Sequence, residues 1–490
     1  MNAADIILAG GKPEAPALVT LDDSMSYRAL NSLACQYGNG LASRDVGRGD
    51  RVILVLDDRP ALYAAFFGAM RIGAVPIIVN PRWSETELGF AFEDSQAKLL
   101  VAEPTYDSTA RLAGNRLCIA HPGLFTEQSS DLASLAMAPD DMAFWIYTSG
   151  TTGTPKAAIH THRAATIADK AITAVHGVTA ADRVFVTSKT FFAYAIGHAL
   201  LGALKVGASV VLHAPWPKPA DIAEVAQALK PTVMYSVPTF YRAAMKDGIV
   251  DGGAFSSVRR FVSAGERLPV PLFERWRDVT GSAIVEGIGT SETVFMFLAN
   301  PPDRARPGSA GLPTPDSEVR LEGDDGTEIE AVGEIGVLWT RLDSVAAGYW
   351  NQPERSAAVF RDGWFRTGDL FRRDVDGYWF HEGRADDMLK ISGQWVNPVE
   401  IEACVMKTGL CGEAAMVAVP DGDGLETPVL FVADIADRTS DGLEDTIRQA
   451  LTRDLSRQKC PRDVRIVDSL PRTATGKVQR YRLREIAAEA

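Results

Sequence analysis

Residues 147–156 read Tyr147-Thr148-Ser149-Gly150-Thr151-Thr152-Gly153-Thr154-Pro155-Lys156. From Thr148 to Thr154 every residue is a glycine or carries a hydroxyl, and Lys156 closes the run. That composition suits wrapping a polyphosphate. Glycines let backbone N–H groups approach the oxygens, hydroxyls donate hydrogen bonds, and the lysine adds a mobile positive charge. The preceding Met142-Ala143-Phe144-Trp145-Ile146-Tyr147 predicts a buried strand. The loop is thus expected at a strand's C-terminal end, where α/β sheets place ligands. It is not a Walker A loop, which needs Gly-Lys followed by Ser or Thr. Here Pro155 precedes the lysine and Ala157 follows it.

Outward from this loop, strands and helices alternate. Arg51–Leu56, Val75–Val79, Lys98–Ala102, Arg183–Val186, Ser209–Leu212, Thr232–Val237 and Arg259–Val262 read as strands. Ala61–Arg71, Glu85–Asp94, Pro219–Leu229 and Pro269–Asp278 read as helices. This βαβ rhythm predicts mostly parallel sheets covered on both faces. From residue 318 short runs separated by Asp-Gly turns predict antiparallel hairpins. After Arg384 a small unit begins: helix Pro398–Lys407, strands Glu413–Val419 and Pro428–Asp434, helix Leu443–Leu455, strand Asp463–Val467, helix Gln479–Ala488. The fold class expected is α/β. A large N-terminal domain of βαβ-type sheets with a β-rich module, residues 1–384, is followed by a small mobile α/β C-terminal domain, residues 385–490.

With 490 residues the chain holds roughly three domain-sized units or fewer large ones. The net charge of −13 argues against a nucleic-acid or anionic-membrane partner. The five cysteines, Cys35, Cys118, Cys404, Cys411 and Cys460, form no C-x-x-C pair, which suits a reducing cytoplasm. The start of the chain lacks a basic segment before an apolar one, so no signal peptide is expected. The most apolar stretch, residues 60–79, is broken by Arg71 and two glycines and reads as a core helix entering a strand.

Four further stretches carry chemistry-bearing residues: Gly287-Ile288-Gly289-Thr290-Ser291-Glu292, Trp364-Phe365-Arg366-Thr367-Gly368-Asp369-Leu370, Gly383-Arg384-Ala385-Asp386-Asp387-Met388-Leu389-Lys390, and Pro471-Arg472-Thr473-Ala474-Thr475-Gly476-Lys477. The second is read as a Gly-containing turn holding an aspartate, and the third as a short polar hinge. In this order, over essentially the whole chain, they resemble the adenylate-forming superfamily of acyl-CoA synthetases, peptide-synthetase adenylation domains and luciferases. The segments Lys189–Gly197, Ser263–Pro269 and Phe295–Asn300 look like the acid-pocket segments of benzoate–CoA ligases and their relatives.

The resemblance implies a reaction in two halves. An aromatic carboxylate and ATP give an acyl-adenylate and pyrophosphate, and the thiol of coenzyme A then gives a thioester and AMP. It assigns Lys477 the bridging of carboxylate and α-phosphate. Thr148, Ser149, Thr151, Thr152 and Lys156 would hold the β,γ-phosphates, and Ser291 the α-phosphate. Glu292 would hold Mg²⁺. Gly287, Ile288, Gly289 and Thr290 would lie against the nucleotide, with Ala264, Gly265 and Glu266 opposite. Asp369 would accept both ribose hydroxyls, assisted by Arg384. The acid would contact Ala193, Tyr194, Ala195, Ala264, Gly289 and Phe295. Asp386 would be the hinge that exchanges Lys477 for the loop Lys390-Ile391-Ser392-Gly393, with Trp395 beside it, in the CoA-dependent half.

Departures from the family pattern matter too. Ala157 replaces a usual glycine, Ile288 a frequent tyrosine, and Ser291 a usual threonine. His198 stands where benzoate ligases often have asparagine, and Phe295 where they often have histidine. Phe295 implies an apolar pocket, favouring benzoate or an apolar-substituted benzoate over anthranilate. The acceptor is expected to be free coenzyme A. A carrier-protein pantetheine and a different medium-size acyl-CoA synthetase are the alternatives. The protein is expected to be a cytoplasmic monomer or homodimer with no membrane or nucleic-acid partner.

Overall fold

The computed structural model describes residues 1–106, 118–120, 123, 125–148, 155–323, 325–385, 389–391, 394–396, 398–420, 426–435, 442–454, 460–461, 463–472 and 478–488. Its contacts divide the chain into two compact units. The first comprises Met1–Arg320, Trp339–Thr367 and Gly377–Trp379, and the second Leu321–Leu338, Gly368–Asp376 and Phe380–Ala490.

The first unit is built on two sheets. The larger has nine strands in the order Leu312–Pro313, Met296–Ala299, Ile284–Gly289, Arg260–Ser263, Val233–Ser236, Arg183–Val186, Ser209–Val211, Pro16–Val19 and Ser24–Ser26. The run from Ile284–Gly289 to Pro16–Val19 is parallel throughout. Its strands are almost wholly buried, as a sheet covered on both faces requires. The second sheet orders Cys118–Ala120, Leu99–Ala102, Arg51–Val55, Val75–Ile78, Met142–Thr148 and Lys156–Thr161. Only the last pairing is antiparallel, with Thr148 opposite Lys156. The polyphosphate-type sequence thus links two arms of a hairpin, and Lys156 opens the second arm rather than lying in the loop.

The apolar stretch of residues 60–79 is the helix Pro60–Arg71 followed by the strand Val75–Ile78. Every residue from Leu62 to Arg71 is buried. The helix Tyr27–Ala42 packs against it so closely that a Cβ on Gly68 would come within 2.6 Å of the Ala34 carbonyl. Among the described residues no helix is long and apolar enough to cross a membrane.

In the second unit a three-stranded sheet, Glu413–Pro420, Glu426–Ala433 and Asp463–Ile466, is antiparallel then parallel. Alternation along Glu413–Pro420 splits its core. Met416 and Ala418 pack with Ile401, Val405, Ile447 and Leu451 of the helices Pro398–Lys407 and Leu443–Asp454. Ala415 and Val417 pack with Leu483 and Ala487 of the helix Arg480–Ala488. Arg480 pins that helix by a bidentate pair to buried Glu402, at 2.7 and 3.1 Å. The expected α/β class therefore holds. One local expectation does not: Asp369 is inside a ten-residue strand, Trp364–Arg373, not in a turn. Gly368 takes up the irregularity there with φ +75°, a conformation open to glycine at little cost.

Candidate functional site

Three parallel strands of the first unit, Val233–Ser236, Arg260–Ser263 and Ile284–Gly289, end side by side, with Ser236 opposite Ser263 and Ser263 opposite Glu286. Ala264, Gly265 and Glu266 follow directly on Ser263, and Gly287, Ile288 and Gly289 complete the neighbouring strand. Gly265 has φ +87°, and Glu266 accepts a hydrogen bond of 2.8 Å from the Thr239 hydroxyl. Gly289 pairs with Met296, and a Cβ there would meet the Phe295 carbonyl at 2.6 Å. Thr290–Phe295 then form a tight turn. The Thr293 hydroxyl accepts from the Thr290 N–H at 3.0 Å and donates to the Phe295 carbonyl at 2.9 Å. Val294 sits at φ +61°, a rare conformation for a β-branched residue and a sign of local strain. The side-chain oxygens of Ser263 and Thr290 are buried and have no partner among the described residues.

That turn delivers Glu292 into the interior, 6% exposed. Lys156 Nζ lies 2.9 Å from its Oε1, and the Tyr349 hydroxyl donates to the same oxygen at 2.7 Å. Lys156 also donates to the Tyr349 oxygen at 2.5 Å. Burial alone would raise the carboxyl's pKa. The Lys156 ammonium and the two hydrogen bonds outweigh it and hold the group below its ordinary value. Glu292 is therefore ionised. Behind it, His160 stacks on Phe144 with centroids 4.9 Å apart, and its Nε2 donates to the Ser291 carbonyl at 2.9 Å. Burial pushes His160 down to about 4, so it braces the turn as a neutral ring. A single hard carboxylate is a suitable protein ligand for Mg²⁺, which takes one or two carboxylates together with phosphate oxygens and keeps several waters.

The residues expected in the acid pocket begin at Ala193. Ala193–Ala195 form one helical turn that runs into a π-helix, Ile196–Ala203. Ala193 and Tyr194 are half-buried and Ala195 is buried. Tyr194 donates to the Val262 carbonyl at 3.3 Å. Gly197 brings the π-helix onto the strained turn, since a Cβ there would meet the Val294 carbonyl at 2.9 Å. Phe295 is 1% exposed and belongs to the main core. Phe191 and Phe192 pack on each other at 4.2 Å.

In the second unit, Asp369 is 7% exposed. Its Oδ1 accepts from His381 Nε2 at 3.1 Å and its Oδ2 from Arg384 Nη1 at 3.5 Å. Gly368 leaves room for the guanidinium, because a Cβ there would fall 2.9 Å from Arg384 Nη2. Lys390 and Trp395 are register partners in the hairpin Leu389–Ile391 and Gln394–Val396. Ser149, Thr151, Thr152, Asp386, Ser392, Gly393 and Lys477 lie outside the described residues.

Three residues of these clusters were not singled out from the sequence: Tyr349, His160 and His381. Their partners are 57, 131 and 12 residues away in the chain. No local pattern marks the first two. His381, on a strand paired with the one holding Asp369, was within reach of a register argument.

Residues 8–350 match the family model described as AMP-binding enzyme, and residues 400–477 match the AMP-binding enzyme C-terminal domain. A 3-hydroxybenzoate–CoA ligase of Aromatoleum sp. (strain CIB) is 43% identical, over 99% of this chain and 97% of that enzyme. A 3-hydroxybenzoate–CoA/4-hydroxybenzoate–CoA ligase of Thauera aromatica is 41% identical, again over 99% and 97%. The crystal structure of a benzoate CoA ligase from Burkholderia xenovorans LB400 is similar with a TM-score of 0.91 and 31% identity, covering 99% of this chain and 100% of that one. Matched over both segments and nearly end to end, the chain belongs to the AMP-binding, adenylate-forming family of enzymes.

Proposed function

We propose that this protein is an AMP-forming aryl-carboxylate–CoA ligase acting on a benzoate-type acid, with a hydroxybenzoate as the first candidate. The observation that carries this reading is the buried Glu292–Lys156–Tyr349 cluster at the parallel strand ends, in a chain 43% identical to a 3-hydroxybenzoate–CoA ligase.

A carboxylate is a poor acyl donor, and joining it to AMP supplies both an electrophile and a leaving group. Two anions must meet, so catalysis is mostly positioning and charge neutralisation. Lys156, with Thr148, Ser149, Thr151 and Thr152, holds the β,γ-phosphates. Ser291 serves the α-phosphate, and Gly287, Ile288, Gly289 and Thr290, with Ala264, Gly265 and Glu266, line the nucleotide. Glu292 would hold Mg²⁺, which neutralises phosphate charge when bound. Asp369 and Arg384 serve the ribose. Ala193, Tyr194, Ala195 and Phe295 line the acid. Lys477 neutralises the encounter of carboxylate and α-phosphate. Lys390, Ser392, Gly393 and Trp395 serve the CoA half after movement about Asp386. The proposed functional division of the chain falls at residue 384. Cys35 and Cys411 are free thiols, in keeping with the proposed reducing compartment.

The test is product analysis with ATP, Mg²⁺, CoA and hydroxybenzoates. AMP, pyrophosphate and aryl-CoA are expected in equal amounts; ADP, or no thioester, overturns the reading. Lys477→Ala is expected to slow adenylation by about 10²-fold or more, the scale of a lost oxyanion donor. Thioester formation from preformed adenylate should largely survive, and equal loss in both halves refutes the separate roles.

A further inference from the structure

We propose that His198 is the specificity-determining residue of the acid pocket, its bare Nε2 accepting a hydrogen bond from a hydroxyl on the ring of the aromatic acid. This deepens the reading above and rests on it.

His198 is 1% exposed, within the π-helix Ile196–Ala203. Its Nδ1 lies 2.9 Å from the Tyr194 carbonyl. A carbonyl oxygen only accepts, so Nδ1 carries the proton of the neutral ring and Nε2 is left with a lone pair. Burial keeps the ring neutral, lowering its pKa to about 4. Nε2 is shut off from solvent and has no partner among the described residues. Buried polar atoms are nearly always paired, and one that is not calls for an explanation.

The surroundings point to a ligand as that explanation. The His198 ring stands 4.9 Å from Tyr194 and 6.1 Å from Phe295, two side chains assigned to the acid. It also lies 4.7 Å from Tyr235. Neither tyrosine hydroxyl bonds to it. Tyr194 is committed to the Val262 carbonyl, and the Tyr235 hydroxyl shares a hydrogen bond of 3.0 Å with His176 Nδ1. The His176 ring centroid is 5.9 Å away, and no hydrogen bond joins the two histidines. An acceptor in an aromatic box selects an aromatic ring bearing a donor. An unsubstituted or methylated benzoate leaves Nε2 unpaired. Phe295 alone suggests an apolar pocket favouring benzoate or an apolar-substituted benzoate; His198 reverses that expectation.

The test uses the full-length protein, wild type and the variants His198→Leu and His198→Gln. kcat/KM is measured by acid-dependent pyrophosphate exchange with 3-hydroxybenzoate, 4-hydroxybenzoate, benzoate and 3-methylbenzoate. Wild type is expected to favour one hydroxybenzoate over benzoate and 3-methylbenzoate by about tenfold or more, the scale of one well-made hydrogen bond. His198→Leu should reduce that ratio to near one, with the loss carried by KM. His198→Gln, which keeps an acceptor, should restore part of it. A wild type that does not discriminate, or a leucine variant that keeps the preference, overturns the inference and leaves the ligase reading standing. Absence of any acid-dependent exchange overturns both. Should His198→Leu fail to fold, the His198→Gln ratio decides: a preference equal to that of wild type overturns the inference, and a reduced one supports it.

Discussion

Glu292 keeps a charge in the interior because two partners reach the same oxygen. Removing either should be felt in chemistry and in stability together. Tyr349→Phe deletes one hydroxyl that donates to Glu292 and accepts from Lys156. It is expected to lower the pyrophosphate-exchange rate roughly tenfold to hundredfold and to destabilise the fold by about 1–3 kcal/mol, the range for a hydrogen bond to a buried charge. Exchange assays and denaturant unfolding measure the two effects, and an unchanged exchange rate contradicts the role. Glu292 and Lys156 were legible because each sits in a run of glycines and hydroxyls whose composition has a purpose. Tyr349 was not, since its neighbours in sequence say nothing of a carboxylate 57 residues earlier. His198 was visible as a residue, but its tautomer depends on a carbonyl that only the folded helix presents.

At the scale of elements, the strands and helices named from the sequence agree with the structure within a residue or two, because buried parallel strands are continuous apolar runs between turn formers. The reading passes over the helices Tyr27–Ala42 and Pro238–Lys246 and the parallel strand Pro16–Val19, and it fails where backbone geometry is unusual. The π-helix at Ile196–Ala203 has no 3.6-residue signature to betray it. The Gly-containing turn expected around Asp369 is instead part of the strand Trp364–Arg373, because the positive φ of Gly368 is absorbed without breaking the strand. The strand Ile284–Gly289 also carries a buried carboxyl, Glu286, whose pKa burial raises to about 8 although it accepts from the Leu268 N–H at 2.8 Å. Between the ordinary carboxylate range and pH 8 the folded state keeps a proton that the unfolded chain has lost, so stability falls as pH rises through that window. Glu286→Gln, which retains an acceptor, is expected to flatten this decline. Thermal melts at pH 5, 6.5 and 8 measure it, and parallel curves for the variant and wild type would refute the assignment.

Over the whole molecule the histidines act in the opposite sense. Burial holds His160, His162 and His198 near 4 and His176 well below its ordinary value. Between pH 6.5 and 4 the unfolded chain takes up protons that these rings refuse, so stability falls as pH drops through that window. Four histidines outweigh one glutamate where the windows overlap, while above pH 6.5 the glutamate acts without them. The melting temperature is expected to peak near pH 6.5, falling by several degrees toward pH 4.5 and more gently toward pH 8. A monotonic profile across that range by calorimetry would contradict the balance. The net charge of −13 makes local cations the more necessary for a triphosphate and an acid anion.

The register of the second sheet has a practical corollary. Because Lys156 is paired across from Thr148, its ammonium is a fixture of the scaffold, and the seven positions between them are the grip on the triphosphate proposed above. Lengthening or trimming that grip ought to retune how firmly the tail of the nucleotide is held while leaving the counter-ion of Glu292 where it stands. Affinity for the triphosphate and integrity of the catalytic interior are thus separable handles for an engineer.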